Sequence, residues 1–307
     1  MAIKIKFNDF KSLVDNGEMP IDLMKDYLEQ DPTVSIPKLR FKHDALIDTQ
    51  PEDYDVNDFI CRLLKALKIA EREKKVKIFG FKEKPVVVAE GDSWFRLPPI
   101  YDTTAIASRI GKNPDIDIVN IACWGDTLSK ILSRKEYMKY IGRDDTKYFM
   151  LSAGGNDLQG GISRFIHDYK DDPQRPVNEY LTDDGKDALK TIGEGYQELL
   201  SEVSDSCPNV KILLYGYDYP RPSNGGQFIG QFLEKKGIPE NIMKKVIEPV
   251  IDKLNDIIED SASRCPRATY INCLNLTDKF TWRDDMHPND DGFRALANKF
   301  ENEILLS

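Results

Sequence analysis

Five apolar runs of strand length alternate with amphipathic helical patterns over most of the chain. The runs lie at residues 85–90, 116–123, 147–153, 210–216 and 268–274. Between them, apolar residues recur every three or four positions, which predicts helices over 103–110, 126–132, 189–203 and 242–258. We expect Pro249 to kink or interrupt the last of these helices. Because strands that alternate with helices form parallel sheets covered on both faces, we predict a three-layer α/β/α fold.

The N-terminal part of the chain carries a different pattern. Apolar side chains recur at helical spacing from Val56 to Ala70, and this stripe ends at the charged run 71–75. Two shorter helices are indicated before it, at 10–14 and 21–28. We therefore divide the chain into a helical N-terminal extension, residues 1–80, and an α/β domain, residues 81–307. Two roles stay open for the extension: a helical layer packed on the α/β domain, or a module that binds a protein partner.

Four polar clusters interrupt the hydrophobic pattern. They are Gly91-Asp92-Ser93, Gly125-Asp126, Gly154-Gly155-Asn156-Asp157 and Asp284-Asp285-Met286-His287. The first three follow predicted strands, and ligands of open α/β sheets bind at the carboxyl ends of such strands. Each cluster alone is better explained as a turn or a helix N-cap, because Gly, Asn, Asp and Ser favour both. Their joint occurrence favours a catalytic site, since the fourth cluster contains one of only three histidines.

In this order, the clusters resemble the motif blocks of the SGNH (GDSL-type) hydrolase family. The resemblance implies that Ser93 is the nucleophile, His287 the general base and Asp284 the residue that orients the imidazole. It also implies that Gly125 offers a backbone N–H to the oxyanion and that Asn156 offers a side-chain N–H. The implied fold is flavodoxin-like, with the strand order 2-1-3-4-5.

These residue types suit ester hydrolysis. A serine hydroxyl becomes a strong nucleophile only when a nearby base takes its proton, and histidine titrates close to neutral pH. A carboxylate fixes the tautomer of that histidine and stabilises the imidazolium. Preorganised N–H donors stabilise the negative charge on the former carbonyl oxygen, each by about 2.7–4 kcal/mol. The amides of Ser93 and Gly125 and the Asn156 side chain are therefore expected to form a three-donor oxyanion hole.

Aromatic residues near the clusters are the candidates for substrate binding. Because ligand pockets are mostly apolar, the following residues are expected to line one, although some of them also suit the core: Trp94, Phe95, Trp124, Tyr217 and Tyr219. The segments 160–183 and 217–226 leave the same sheet edge and are expected to shape the site. Arg96, Arg221 and Arg283 lie near the clusters and are candidates for binding an anionic substrate group.

Composition and charge exclude several classes of protein. The chain has 307 residues and a formal net charge of −9, which argues against nucleic-acid binding. No His or Cys spacing typical of a zinc site occurs, and no cofactor is implied. No apolar stretch is long enough to span a membrane and the N-terminus lacks a signal-peptide pattern, so we expect a cytoplasmic protein. The cysteines are expected to be reduced core residues: Cys61, Cys123, Cys207, Cys265 and Cys273.

The sequence thus predicts a serine hydrolase that acts on a small-molecule or acyl-ester substrate through an acyl-enzyme on Ser93. The resemblance covers about residues 84–307. Trp94 stands where the commoner family form has Leu, Ile or Thr, so the size of the acyl pocket stays open. One alternative is a non-catalytic binding protein of the same shape, with residues 1–80 as its interaction module. A nucleotide-binding domain is disfavoured because the chain has neither a P-loop nor a Gly-x-Gly-x-x-Gly motif at these turns.

Overall fold

The N-terminal extension contains three helices and a short β-ribbon. A computed structural model describes residues 4–51, 54–79 and 84–306 of the chain. The predicted helices are α1 (Phe7–Asp15), α2 (Ile21–Tyr27) and α3 (Val56–Phe79). The ribbon, which the pattern did not predict, is antiparallel and consists of β1 (Leu28–Gln30) and β2 (Leu39–Phe41).

Five parallel strands form the central sheet. They are β3 (Val86–Gly91), β4 (Asp117–Asn120), β5 (Thr146–Ser152), β6 (Lys211–Tyr215) and β7 (Ala268–Ile271). Their spatial order is β4-β3-β5-β6-β7, so the order 2-1-3-4-5 implied by the resemblance is confirmed. Strand β3 is buried along its whole length, as its uninterrupted apolar run predicted.

Helices cover both faces of this sheet, so the three-layer α/β/α fold is confirmed. Tyr148 of β5 donates a hydrogen bond to the Ile304 carbonyl, whereas the next residue, Phe149, stacks on Tyr137. Because neighbouring strand residues point to opposite faces, the helices that carry Ile304 and Tyr137 lie in different layers. The helices of the α/β domain are α4 (Ile106–Ile110), α5 (Leu128–Arg134), α6 (Glu136–Ile141), α7 (Gly155–Gly160), α8 (Ile162–Phe165), α9 (Asp183–Ser206), α10 (Gly230–Lys235), α11 (Glu240–Ser263) and α12 (Asp290–Leu306).

Helix α11 continues through Pro249, so this proline does not interrupt the helix, and the expected kink stays a prediction. Apolar side chains on both sides of the proline are buried, among them Val246, Ile247, Val250 and Leu254. Each such side chain contributes about 1.5–3 kcal/mol when it is buried. Together they outweigh the roughly 3 kcal/mol that an internal proline costs a helix. Within the described ranges, no helix combines the length and the apolar character needed to cross a bilayer.

The extension packs against the α/β domain beside β4. Phe10, Met24 and Ile60 are buried in one hydrophobic cluster with Cys123 and Trp124, which follow that strand. Ion pairs surround this apolar contact. The Arg72 guanidinium binds both carboxylate oxygens of Asp117, and the buried Lys65 ammonium lies 2.8 Å from Glu136. Apolar burial and charge pairing therefore both join α3 to the domain.

Cys61 and Cys123 form a disulfide, so the prediction that every cysteine is reduced was wrong for this pair. The two residues are 62 apart in sequence, and no spacing rule could pair them. They meet because α3 packs its buried face on the loop that follows β4. Cys207, Cys265 and Cys273 are free and buried, as expected.

Candidate active site

Ser93, His287 and Asp284 form a hydrogen-bonded chain at the carboxyl edge of the sheet. Ser93 lies in the turn after β3, and the other two residues lie in the loop before α12. The His287 Nε2 atom is 2.8 Å from Ser93 Oγ, and its Nδ1 atom is 2.9 Å from Asp284 Oδ1. Ser93 is 2% exposed and His287 is fully buried. Three residues from distant parts of the sequence thus adopt the geometry of a nucleophile, a base and an orienting carboxylate.

The Asp284 carboxylate is held in its charged form. Its Oδ1 atom accepts hydrogen bonds from the amides of Met286, at 2.9 Å, and His287, at 2.8 Å. Burial alone would raise the pKa of Asp284, but the positive charge of His287 and these hydrogen bonds lower it below its usual value. A charged Asp284 accepts the Nδ1 proton of His287, which leaves Nε2 free to accept the proton of Ser93.

Asn156 lines the same cavity as Ser93 and contacts Asp126, the residue after Gly125. Asn156 is in the first turn of α7, and its Nδ2 atom donates to the carbonyl of Asp126 at 2.8 Å. The amide group carries a second N–H that this contact does not use. Gly125 has φ of 77° and Gly154, before α7, has φ of 95°, values that glycine adopts without strain. Both glycines therefore allow turns that ordinary residues would disfavour.

Asp92 stabilises the turn that carries Ser93 through hydrogen bonds. The sequence did not single out this residue. Asp92 accepts hydrogen bonds from the Ser152 hydroxyl at 2.7 Å, the Tyr217 hydroxyl at 2.6 Å and the Trp94 amide at 3.0 Å. Burial raises the pKa of Asp92 to about 6, and these hydrogen bonds oppose the rise. The position of Asp92 directly before Ser93 was the only indication in the sequence, and a role as a helix N-cap explained an aspartate at that position equally well.

Ser93 lines an apolar cavity of about 690 Å³, a volume that includes open solvent at its entrance. Trp94, Asn156 and Tyr217 line it beside the serine. Its apolar wall comes mainly from α8, α11 and their flanking loops, including Ile162, Phe165, Leu181, Ile247, Val250 and Ile251. The segments 160–183 and 217–226 both contribute to the lining, as expected from the sequence.

Three of the aromatic residues expected in the pocket lie elsewhere. Phe95 is fully buried and packs edge-on against Phe300 in the core. Trp124 is also fully buried and donates its indole N–H to Asn57 of the extension. Tyr219 donates its hydroxyl to Asp252 on α11. The sequence placed these rings near the motifs but could not show which way each one points.

The arginines near the motifs are paired away from the cavity. Arg96 is buried and donates to the Asn120 carbonyl, and Arg221 forms an ion pair with Asp278. The Arg283 guanidinium lies over the Tyr101 ring, 3.6 Å from its centroid. Among the described residues that line the cavity there is no lysine or arginine. The expectation that these arginines bind an anionic group is therefore not supported.

Residues 90–295 match the model of the GDSL-like Lipase/Acylhydrolase family. The chain belongs to this family. The matched segment contains Ser93, Gly125, Asn156, Asp284 and His287, so the family resemblance drawn from the sequence is confirmed. The whole N-terminal extension, residues 1–80, lies outside the segment that matches the GDSL-like hydrolase family.

Solved structures resemble this GDSL-like hydrolase at low sequence identity. Phospholipase A1 from Streptomyces albidoflavus NA297 has a TM-score of 0.51 and 17% identity, over 71% of this chain and 99% of that one. An extracellular lipase from Streptomyces rimosus has a TM-score of 0.49 and 13% identity, over 71% and 99% of the two chains. No curated protein matches the sequence. The likeness to the phospholipase supports the fold alone.

Proposed function

We propose that this GDSL-like hydrolase cleaves carboxylic esters with an apolar acyl chain. The observation that carries the proposal is the Ser93–His287–Asp284 hydrogen-bonded chain, whose serine lines an apolar cavity. A serine beside a base can form an acyl-enzyme. The described residues of the cavity wall suit a hydrocarbon chain and include no lysine or arginine to pair with an anionic one.

The proposed reaction has two halves. In the first, Ser93 Oγ attacks the ester carbonyl carbon while its proton passes to His287 Nε2, and Asp284 stabilises the imidazolium. The amides of Ser93 and Gly125 and the Asn156 side chain then stabilise the oxyanion. His287 returns the proton to the departing alcohol, and an acyl-enzyme remains. In the second half, water attacks the acyl carbon and His287 takes its proton. His287 then returns this proton to Ser93 Oγ as the bond to the acyl carbon breaks and the acid leaves. These residues and water suffice, so the proposal includes no cofactor.

Hydrolysis of p-nitrophenyl esters of increasing chain length tests this proposal. The protein is expected to hydrolyse acetate, butyrate and octanoate esters, and Ser93→Ala is expected to abolish all three activities. Ile247→Trp places a larger side chain in the cavity wall and is expected to lower kcat/KM for octanoate more than for acetate. Full activity of Ser93→Ala would contradict the proposal, and an unchanged ratio of the two esters would place the acyl chain elsewhere.

The alternative, a non-catalytic binding protein, predicts no hydrolysis of these esters. Such a protein would bind an acyl ligand in the cavity without turnover, and Ser93→Ala would retain the ligand affinity. Retention of the hydrogen bond between Ser93 and His287 argues against it, because binding alone requires no activated serine.

The cytoplasmic location predicted from the sequence stays a prediction, and the Cys61–Cys123 disulfide weighs against it. Structural disulfides persist mainly in oxidising compartments. All five cysteines are buried in the folded protein, so cells are quenched in acid and the thiols are alkylated in denaturant. Mass spectrometry then decides between the two locations. Modification of Cys61 and Cys123 would support the cytoplasm, whereas modification confined to Cys207, Cys265 and Cys273 would support an oxidising compartment.

A further inference from the structure

The Gly125 turn rests directly on the N-terminal extension, which lies outside the segment that matches the family. A Cβ at Gly125 would clash with the carbonyl oxygen of Pro37. Pro37 is buried and belongs to the connection between β1 and β2. Only a glycine allows this close approach of two backbones. The extension therefore forms the surface against which one proposed oxyanion donor is held.

One side-chain oxygen, Asn57 Oδ1, is hydrogen-bonded both to the extension and to the residue before Gly125. Asn57, in the first turn of α3, is 7% exposed. Its Oδ1 atom accepts hydrogen bonds from the Leu39 amide, at 2.9 Å, and from the Trp124 indole N–H. Leu39 comes two residues after Pro37, and Trp124 directly precedes Gly125. Removal of this oxygen would leave two buried N–H groups without the acceptor that joins the extension to the turn.

The same stretch of the extension holds the helix that carries Asn156. Ser35 is 5% exposed, and its hydroxyl donates to the Gln159 carbonyl at 2.6 Å. The Gln159 side chain donates in return to the Ser35 carbonyl. Gln159 lies one helical turn after Asn156 on α7, which has only six residues. So short a helix is positioned by its neighbours rather than by its own hydrogen bonds.

The Gly125 turn and α7 also meet each other, through the hydrogen bond from Asn156 to the Asp126 carbonyl. We infer that Asn57 and residues 35–37 are positioning residues for the oxyanion hole, and that the extension is a working part of the hydrolase. This inference rests on the proposed function. A donor displaced by about 1 Å loses on the order of 10²-fold in rate. The contribution of the extension is thus to kcat, because oxyanion contacts form mainly in the transition state.

Asn57→Ala tests the inference most directly. In p-nitrophenyl butyrate hydrolysis, we expect kcat to fall about 10–100-fold and KM to change less than about twofold. Asn57→Asp keeps an acceptor oxygen, and its negative charge is favourable in the first turn of a helix. It is therefore expected to restore most of the kcat that Asn57→Ala loses.

A double-mutant cycle locates the effect in the oxyanion hole. If Asn57 acts by positioning Gly125 and Asn156, the loss in Asn57→Ala/Asn156→Ala should be smaller than the product of the single losses. Ser35→Ala is the second variant should Asn57→Ala fail to fold, because it removes only the hydroxyl that binds the Gln159 carbonyl. It is expected to lower kcat severalfold at constant KM.

Met24→Ala is the matched control. Met24 is 1% exposed in the hydrophobic cluster of the extension, so its truncation should lower Tm and leave kcat unchanged well below that temperature. The inference is overturned if Asn57→Ala, or Ser35→Ala in its place, lowers Tm alone, or if the losses of Asn57→Ala and Asn156→Ala multiply. Lack of turnover by the unmodified protein, or turnover that survives Ser93→Ala, would overturn the proposed function instead.

Discussion

Two buried carboxylates near Ser93, those of Asp92 and Asp284, have pKa values shifted in opposite directions. The pKa of Asp284 is lowered by His287 and by backbone N–H groups, whereas burial raises the pKa of Asp92 to about 6. Environments that separate the pKa values of two carboxyl groups usually separate their tasks. Asp284 is hydrogen-bonded to the imidazole of His287, which we propose it orients. Asp92 joins the turn to Ser152 and Tyr217.

Asn156→Ala is expected to lower kcat about 10²–10³-fold with little change in KM, because the oxyanion exists mainly in the transition state. Steady-state kinetics with p-nitrophenyl butyrate measure both constants. The Tm of the variant serves as the control for folding, since the Asn156 amide also binds the Asp126 carbonyl. A loss confined to KM would assign Asn156 to ground-state binding.

Glu90 makes the stability of the protein depend on pH. Burial raises its pKa to about 8, and the positive charge of Lys65 opposes the rise. The folded state therefore retains a proton that the unfolded chain releases, so this stabilisation is complete below about pH 4.5 and is lost as the pH rises through 8. We expect Tm to fall from about pH 5 to pH 8 and Glu90→Gln to flatten that fall. Parallel Tm profiles for the two proteins would contradict this account.

The sequence singled out Ser93, Asp284 and His287 through short motifs, and the structure brings these residues into one hydrogen-bonded chain. The sequence could not place the aromatic rings, because residues adjacent in a loop point in different directions. Phe95 follows Trp94 directly, yet Trp94 lines the cavity and Phe95 lies in the core. Asn57 gave no signal at all, since its partner Trp124 is 67 residues away.

At the scale of elements, hydrophobic periodicity predicted the five sheet strands and the long helices. It failed where tertiary contacts decide the local structure. The ribbon of β1 and β2 has three-residue strands, too short for a periodic signal. Burial on both sides of Pro249 keeps α11 continuous, and no local rule for proline includes that burial.

Asp157 joins two elements, because its Oδ2 atom accepts the amide of Leu128, the first residue of α5, at 2.8 Å. Asp157→Ala is expected to lower the free energy of unfolding by about 0.5–2 kcal/mol, as for other helix caps. Turnover should change much less than stability. Thr127→Ala, which removes the hydroxyl that caps the same helix, is the matched control and should have a similar effect. Normal stability with lost activity would instead place Asp157 in the catalytic machinery.

At the scale of the whole molecule, the extension and the α/β domain share buried surface. The extension cluster includes Cys123 and Trp124 of the domain, and the Cys61–Cys123 bond crosses the same boundary. The division at residue 80 describes a change in the hydrophobic pattern of the sequence. Hydrophobic periodicity could not predict the contacts between the two parts, because it reports only on local structure.

Removal of residues 1–83 is expected to expose the apolar surface of the α/β domain around Cys123 and Trp124, which the extension covers. The shortened chain, which retains every proposed catalytic residue, should be less soluble and have a lower Tm than the full chain. Differential scanning fluorimetry and size-exclusion chromatography measure the two properties. Equal stability and equal activity would identify the extension as an independent module, and a pull-down with residues 1–80 would then test for a protein partner.

Covalent labelling with a fluorophosphonate tests the central claim, an activated Ser93, most directly. Such probes react with a serine whose proton is taken by a neighbouring base. The account expects one equivalent of label on the peptide that contains Ser93, and a strongly reduced labelling rate in His287→Ala. No label, or label on a different serine, would contradict it.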